Sequence, residues 1–407
     1  MPDESGRTAG PVRTAIAQLR GGGRGWTLLF VAVGWLFING FRVVLPVLLP
    51  GIKADFAIDN AQAGFALTVL WALYAVLQFP AGLVADRTGE RLLLTAGALL
   101  GAASFAAFYL APGYALFLLA CALFGLGAGL FGTPRDMLLS RTWREADNTA
   151  FGVAFAAGSL GAAALPFVAA AIATRFGWRA AVVWLLPLLV LVGLGLWRFV
   201  PERSGEFGGR LGTRETVRKT LAALGEPRVQ FAGVVMLLFV FSYQGLVSFL
   251  PTYLVEVKGL SQGLTAAVFG LLFVVGAVVN PVAGHLADRL GERGTVFGVI
   301  ALSTVTLAAL PFVGGRLALA VLVPLLGVRI AIGPLASAFI VRDLPDAVQG
   351  TGWGLLRTLF FGLGATASSV IGVFADAGLF DAGFLLLAGL TAVTAVFWWR
   401  IPAASAG

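Results

Sequence analysis

"GLVADRTGER" at residues 82–91 and "GHLADRLGER" at residues 284–293 are nearly the same ten residues, one copy in each half of a 407-residue chain. The surroundings make the repeat conspicuous, because the chain is 59% hydrophobic and only 12% charged. Soluble domains carry roughly a quarter charged residues, so a mean hydropathy of +0.93 points to an integral membrane protein in contact with the lipid bilayer. Each decapeptide joins two long apolar runs. Its glycines permit a tight loop and close helix approach, and its Asp and Arg are placed to pair across helix ends.

Working outward from the two loops, apolar runs between charge and Gly/Pro breaks fall at 27–50, 61–84, 92–111, 114–138, 149–174 and 180–200, then 229–255, 264–287, 294–313, 316–341, 350–375 and 380–400. Each suits a helix crossing about 30 Å of hydrocarbon. Ten-residue alternation, the mark of a transmembrane barrel, is absent. The expected fold is therefore all-α, with twelve transmembrane helices in two pseudo-symmetric six-helix bundles, 27–200 and 229–401. These bundles are flanked by tails 1–26 and 402–407 and joined by a polar, basic linker, 201–228. "NGFRVVLP" (39–46) and "QGLVSFLP" (244–251) match at corresponding places in the two sets, as duplication predicts.

The bases decide orientation. With both termini on one side, Arg7, Arg13, Arg20, Arg24, Arg87, Arg91, Arg141, Arg144, Arg289, Arg293, Arg400 and the linker bases share a face. Lys53, Arg175, Arg179, Lys258 and Arg316 share the other. The positive-inside bias makes the first face cytoplasmic, in a multi-pass protein of the cell membrane, and Trp26, Trp197, Trp398 and Trp399 fall at that interface. Residues 1–25 lack a small-residue cleavage site, so the first span is expected to serve as its own insertion signal. The single cysteine, Cys121, lies in an apolar run and reads as a small buried hydrophobe.

Both decapeptides are similar to the loop signature of the major facilitator superfamily, between helices two and three and between helices eight and nine. "RFGWRAA" (175–181) also resembles that superfamily's connection into helix six. The resemblance implies a two-bundle transporter with a cytoplasmic gate built from Gly82, Asp86, Arg87, Gly89 and Arg91, and from Gly284, Asp288, Arg289, Gly291 and Arg293. It further implies that Asp136 partners Arg87 or Arg91, and that Asp343 partners Arg289 or Arg293. Both copies carry a Glu, Glu90 and Glu292, where the superfamily more often has a base. "RVVLP" in span one and "YAVLQFPAGLVADRTG" across span two resemble the anion:cation symporter branch, whose helix-one Arg, here Arg42, contacts organic anions.

Arg42, Arg329 and Arg357 each lie well inside an apolar run, where a charge facing lipid costs about 2.5–3.5 kcal/mol on insertion scales. No Asp or Glu stands at comparable depth, so the three are expected to face a central cavity and await an anion. Asn39, Tyr74, Gln78, Tyr243, Gln244 and Asn280 are polar groups within the spans that suit a ligand or an interhelical hydrogen bond. Arg135 and Arg342, each followed by an Asp, fit gate or helix-end pairing, and His285, inside the second loop, fits loop packing.

The expected function is a secondary transporter moving a small organic or inorganic anion by alternating access, coupled to protons or by exchange, and working as a monomer without a cofactor. A proton-coupled multidrug exporter is the alternative within transport, and a non-transporting membrane sensor the alternative outside it. Nucleic acid is excluded as a partner because the net charge of +8 marks topology and forms no basic, aromatic-studded soluble face. No metal-ligand cluster or P-loop argues for an enzyme, and "GAGLFGTP" (127–134) lies inside a span, where glycine serves helix packing.

Overall fold

The computed structural model describes residues 24–143, 147–202, 224–344 and 349–401, together with Arg218 and Ala222. Most of both tails and of the linker, with Arg7, Arg13, Arg20 and Arg144, lies outside the described residues. The first half of the chain forms α1 (Arg24–Phe56), α2 (Asn60–Thr88), α3 (Glu90–Leu110), α4 (Tyr114–Thr142), α5 (Asp147–Val183) and α6 (Leu185–Phe199). The second forms α7 (Pro227–Glu256), α8 (Gln262–Leu290), α9 (Glu292–Ala309), α10 (Arg316–Leu325), a 3₁₀ segment Leu326–Ala331, α11 (Ile332–Asp343), α12 (Gln349–Asp376) and α13 (Phe380–Trp399).

Ten stretches among the described residues are long and apolar enough to cross a membrane. The difference from twelve has two causes. Thr149–Phe199 runs two expected spans into one stretch, turned within α5 at Gly177, whose φ of 82° breaks the helix in a single residue. The 18-residue α9 opens on Glu292 and Arg293 and carries Ser303 and three threonines, which hold it below the hydropathy of a spanning helix.

The decapeptides form the same turn twice. Gly89, at φ 81°, ends α2 and donates its N–H to the Ala85 carbonyl, while Gly291, at φ 94°, ends α8 and donates to Ala287. That left-handed backbone is open to glycine at little cost, and it lets α3 and α9 start one residue later.

Aromatic packing holds the first half together. Phe41 is fully buried, with ring centroids 4.5 Å from Phe105 and 4.7 Å from Phe124. A Phe41→Ala substitution leaves a cavity that costs about 3–5 kcal/mol. The purified variant is expected to melt several degrees lower in detergent, and an unchanged melting curve would contradict this packing.

The two halves meet along α2 with α12 and α5 with α8. At the end of the bundle opposite the decapeptides they are latched by polar groups. Lys53 Nζ donates to Glu256 Oε1 at 2.8 Å and to Asn60 Oδ1 at 2.6 Å. Asp376, at the end of α12, accepts from the Asn60 and Ala61 backbone N–H groups at 2.9 and 2.7 Å and so caps the start of α2 across the interface.

Candidate functional site

Between the halves lies a cavity of about 300 Å³. Its wall takes Asn39 and Arg42 from α1, Tyr74 from α2, Arg135 and Asp136 from α4, Tyr243 from α7, Asn280 from α8 and Arg357 from α12. Helical spacing explains one side: Trp35, Asn39 and Arg42 fall on one stripe of α1 and all line the hollow.

Arg42 is only 5% exposed, yet among the described residues its Nε and Nη2 have no hydrogen-bond partner. Its guanidinium lies over three rings, 3.8 Å from the Tyr74 centroid, 5.0 Å from Trp71 and 5.2 Å from Trp35. Those rings shield its faces and attract its charge, so the N–H donors at the edge of the guanidinium are the part no ring covers. Arg135 sits 3.7 Å over the Trp35 ring and donates Nε and Nη2 to Asp136 Oδ1 at 2.9 and 2.7 Å, while its Nη1 is unpartnered among the described residues. Arg357 reaches Asp136 Oδ2 at 3.7 Å, a pair that crosses from α12 to α4.

The described wall thus carries three guanidinium groups and one carboxylate, which Arg135 and Arg357 share. Side-chain exposure is 25% for Asp136 and 26% for Arg357, well above that of Arg42. The more exposed groups of the wall thus stand on α4 and α12, while the Lys53 end of the bundle is latched.

Several expected residues lie elsewhere. Arg329, 1% exposed, is not on the wall; it points into the second half and donates Nη2 to Ser242 Oγ at 2.6 Å, with Nε and Nη1 unpartnered among the described residues. Depth in an apolar run does not fix which way a side chain turns, and in the 3₁₀ segment Leu326–Ala331 the neighbouring Ile330 lines the cavity in place of Arg329. Gln78 turns toward α4, where the Thr133 hydroxyl contacts its Oε1 at 3.2 Å and its carbonyl at 2.8 Å. Gln244 is buried away from the wall, and neither amide atom finds a partner among the described residues. Asn39 lines the hollow but its Nδ2 donates to the Gly158 carbonyl at 3.0 Å.

The loop networks also differ from the expected pairing. Arg141, not Arg87 or Arg91, completes the first: its Nη2 donates to Asp86 Oδ1 at 2.6 Å and its Nη1 to Glu90. Arg342 donates to Glu292 at 2.6 Å in the second. Asp136 is held by Arg135 and Arg357, and Asp343 accepts from Arg228 Nε at 2.7 Å. The reason in α4 is reach. Five residues beyond Asp136, Arg141 stands about 7.5 Å farther along the axis, at the level of the loop. Arg91 contacts Glu202 at 3.2 Å and stacks 4.2 Å from Trp197, whereas Arg293 donates to the carbonyls of Trp399 and Ile401. Arg87, Asp288 and Arg289 are exposed and form no ion pair among the described residues, and Gly82 and Gly284 lie within α2 and α8 just before the turns.

Sequence reading missed Arg135 as a wall residue, the aromatic box around Arg42, Arg141 as the base of the first loop, and Glu292 as the partner of Arg342, itself expected in gate or helix-end pairing. A signal for the last two was present: Glu90 and Arg141 are 51 residues apart, and Glu292 and Arg342 are 50 apart.

The sequence model of the Major Facilitator Superfamily matches residues 30–369. The chain belongs to that superfamily. Among relatives of this superfamily member, the probable nitrate/nitrite antiporter NarK1 of Thermus thermophilus is 28% identical over 298 residues, covering 69% of this chain and 63% of its own. The chain thus spans a little under two thirds of that relative. The hexuronate transporter of Bacillus subtilis (strain 168) is 24% identical, with 88% of this chain and 90% of the relative covered. The multidrug resistance protein MdtG of Citrobacter koseri is 25% identical, with 91% and 94% covered. In fold, the chain is similar to a bacterial homologue of the human lysosomal transporter Spinster in an inward-facing, unoccupied conformation, at a TM-score of 0.76, 15% identity and 93% and 96% coverage. The all-helical superfamily fold accounts for the paired decapeptide turns and for a cavity between the halves.

Proposed function

We propose that the protein is a secondary transporter that carries a small anion across the cell membrane by alternating access, working as a monomer. The observation that carries this reading is the surplus of positive charge on the cavity wall, where Arg42, Arg135 and Arg357 face the single carboxylate of Asp136. A guanidinium with unpaired in-plane donors is suited to a bidentate carboxylate or other oxyanion, and a bound anion would complete the neutralisation. Relatives named for nitrate/nitrite and hexuronate transport support an anionic solute.

With the decapeptide end assigned to the cytoplasm, the latch at Lys53, Asn60, Glu256 and Asp376 closes the outer mouth and the cavity opens inward. The networks of Asp86, Glu90 and Arg141, and of Glu292 and Arg342, then stand at the cytoplasmic mouth and serve as gate elements.

Drug export is the second reading, favoured by the likeness to MdtG and by the aromatic lining. Excess guanidinium works against it, since most such drugs are cations. Purified protein in proteoliposomes separates the two: uptake of organic or inorganic anions supports the first, and transport confined to lipophilic cations overturns it.

Asp136 is the proposed proton carrier, being the one carboxylate on the described wall. Asp136→Asn keeps the side chain's shape and removes its charge. It is expected to abolish proton-driven accumulation while retaining anion counterflow at a comparable rate. Accumulation undiminished in this variant would remove Asp136 from coupling.

A further inference from the structure

The character of the wall between the charges narrows the solute. Resting on the anion-transport reading, we infer that the solute is an aromatic carboxylate carrying a ring hydroxyl.

Three observations converge. The first is size. At about 300 Å³ the cavity lies at the small end of small-molecule sites. A one-ring acid fits within that space, and an inorganic oxyanion leaves most of it empty.

The second is the lining. Trp35, Trp71 and Tyr74 from the first half face Tyr243, Phe273 and Phe361 from the second. The rings of Trp71 and Phe361 lie within 8° of parallel, with centroids 6.5 Å apart, and they come from α2 and α12. Flat rings of this kind favour a flat, apolar partner by stacking. A sugar acid needs a hydrogen-bond partner for each of its many hydroxyls, because a buried unpaired hydroxyl is unfavourable. Here the uncharged polar groups are few: Asn39 is engaged with Gly158, which leaves Ser159, Asn280, the two tyrosine hydroxyls and the indole N–H groups of Trp35 and Trp71.

The third is the placement of unmet polar atoms. The faces of Arg42 are covered by rings while its buried Nε and Nη2 have no partner among the described residues, so a carboxylate must approach in the guanidinium plane. Its attached ring then extends among the aromatic side chains. On α8, Asn280 lines the same cavity with a buried Oδ1 that has no partner among the described residues. A hydroxyl both donates and accepts, so it satisfies Asn280 in either orientation of the amide.

The test is uptake by wild-type proteoliposomes of 4-hydroxybenzoate, benzoate, nitrate, glucuronate and a lipophilic cation, each labelled and each supplied alone. The inference expects 4-hydroxybenzoate to be carried best, with benzoate about five- to tenfold weaker in kcat/KM for want of the Asn280 hydrogen bond. In Asn280→Ala that preference is expected to collapse to near unity, a selectivity readout that a merely structural role would not move. Trp71→Ala and Phe361→Ala are expected to raise KM for the hydroxylated acid about tenfold.

Transport of nitrate or glucuronate with neither aromatic acid carried overturns this inference and leaves the anion reading standing. A hydroxyl preference unchanged in Asn280→Ala overturns the assignment of the hydroxyl alone. Transport of the cation with none of the four anions overturns both.

Discussion

Replacing Arg42 by alanine is expected to lower anion kcat/KM about a hundredfold while leaving the protein folded. The side chain is nearly fully buried and has two donors without partners among the described residues, so nothing in the protein depends on its charge for its own neutralisation. Loss of two charge-assisted hydrogen bonds to a bound anion is worth about 3 kcal/mol, which is about a hundredfold at 1.4 kcal/mol per tenfold. Removing Asp136 outright would differ, since it strips Arg135 and Arg357 of their shared acid. Arg42→Lys keeps the charge but loses the planar fork, and an intermediate loss of about tenfold is expected. The check is uptake in proteoliposomes beside size-exclusion behaviour and melting in detergent. Normal anion uptake by a well-folded Arg42→Ala protein would remove Arg42 from the site.

Gly64→Val is expected to drive the protein out of the state described above. A Cβ built on Gly64 would lie 2.3 Å from the Ser368 carbonyl oxygen and 3.2 Å from Ser369 Cα, both backbone atoms of α12 in the other half. Backbone in a packed helix has little room to yield. The clash exists only while the Lys53 end is closed, because α2 and α12 belong to opposite halves, so the substitution penalises one state and spares the fold of each half. Inverting a 99:1 population takes about 5.5 kcal/mol, within reach of an overlap of this depth. A cysteine placed in the cavity as Val247→Cys reports the change, since the one native cysteine, Cys121, is buried. It is expected to react with an impermeant thiol reagent from the Lys53 side in the Gly64→Val background and not in the wild type. Transport should fall with it, because a carrier held in one state does not cycle. Equal labelling in both backgrounds would mean that the α2–α12 contact does not control access.

Much of the fold was legible because a bilayer leaves few options for the backbone. Long apolar runs must be helices, and a loop motif that appears twice at matched positions carries its own topology. Gly89 and Gly291 were readable as turn residues for the same reason, since little else adopts φ 81° and 94° cheaply. The site was readable only in part. Helical periodicity put Trp35, Asn39 and Arg42 on one face of α1, and they do share the cavity wall. Arg329 was placed there by depth and charge alone, which do not fix the direction of a side chain, and in the 3₁₀ segment Leu326–Ala331 it turns into the second half. The pairing that the resemblance implied for Asp136 and Asp343 is also not the one observed, because Arg357 and Arg228 reach them from other helices.

What the residues alone determined is the membrane, the duplication, the depth of the buried bases and their shortage of acids, all of which follow from transfer energies that each segment carries by itself. What only the tertiary structure decided is which arginine meets which partner: Arg135 and Arg357 share Asp136, Arg141 joins Asp86 to Glu90, and Arg42 is left boxed by aromatic rings with two donors unpartnered among the described residues. The physical reason is range. Burial in lipid is a property of a local stretch of chain, whereas a hydrogen bond about 3 Å long selects among side chains that only the packing of distant helices brings together.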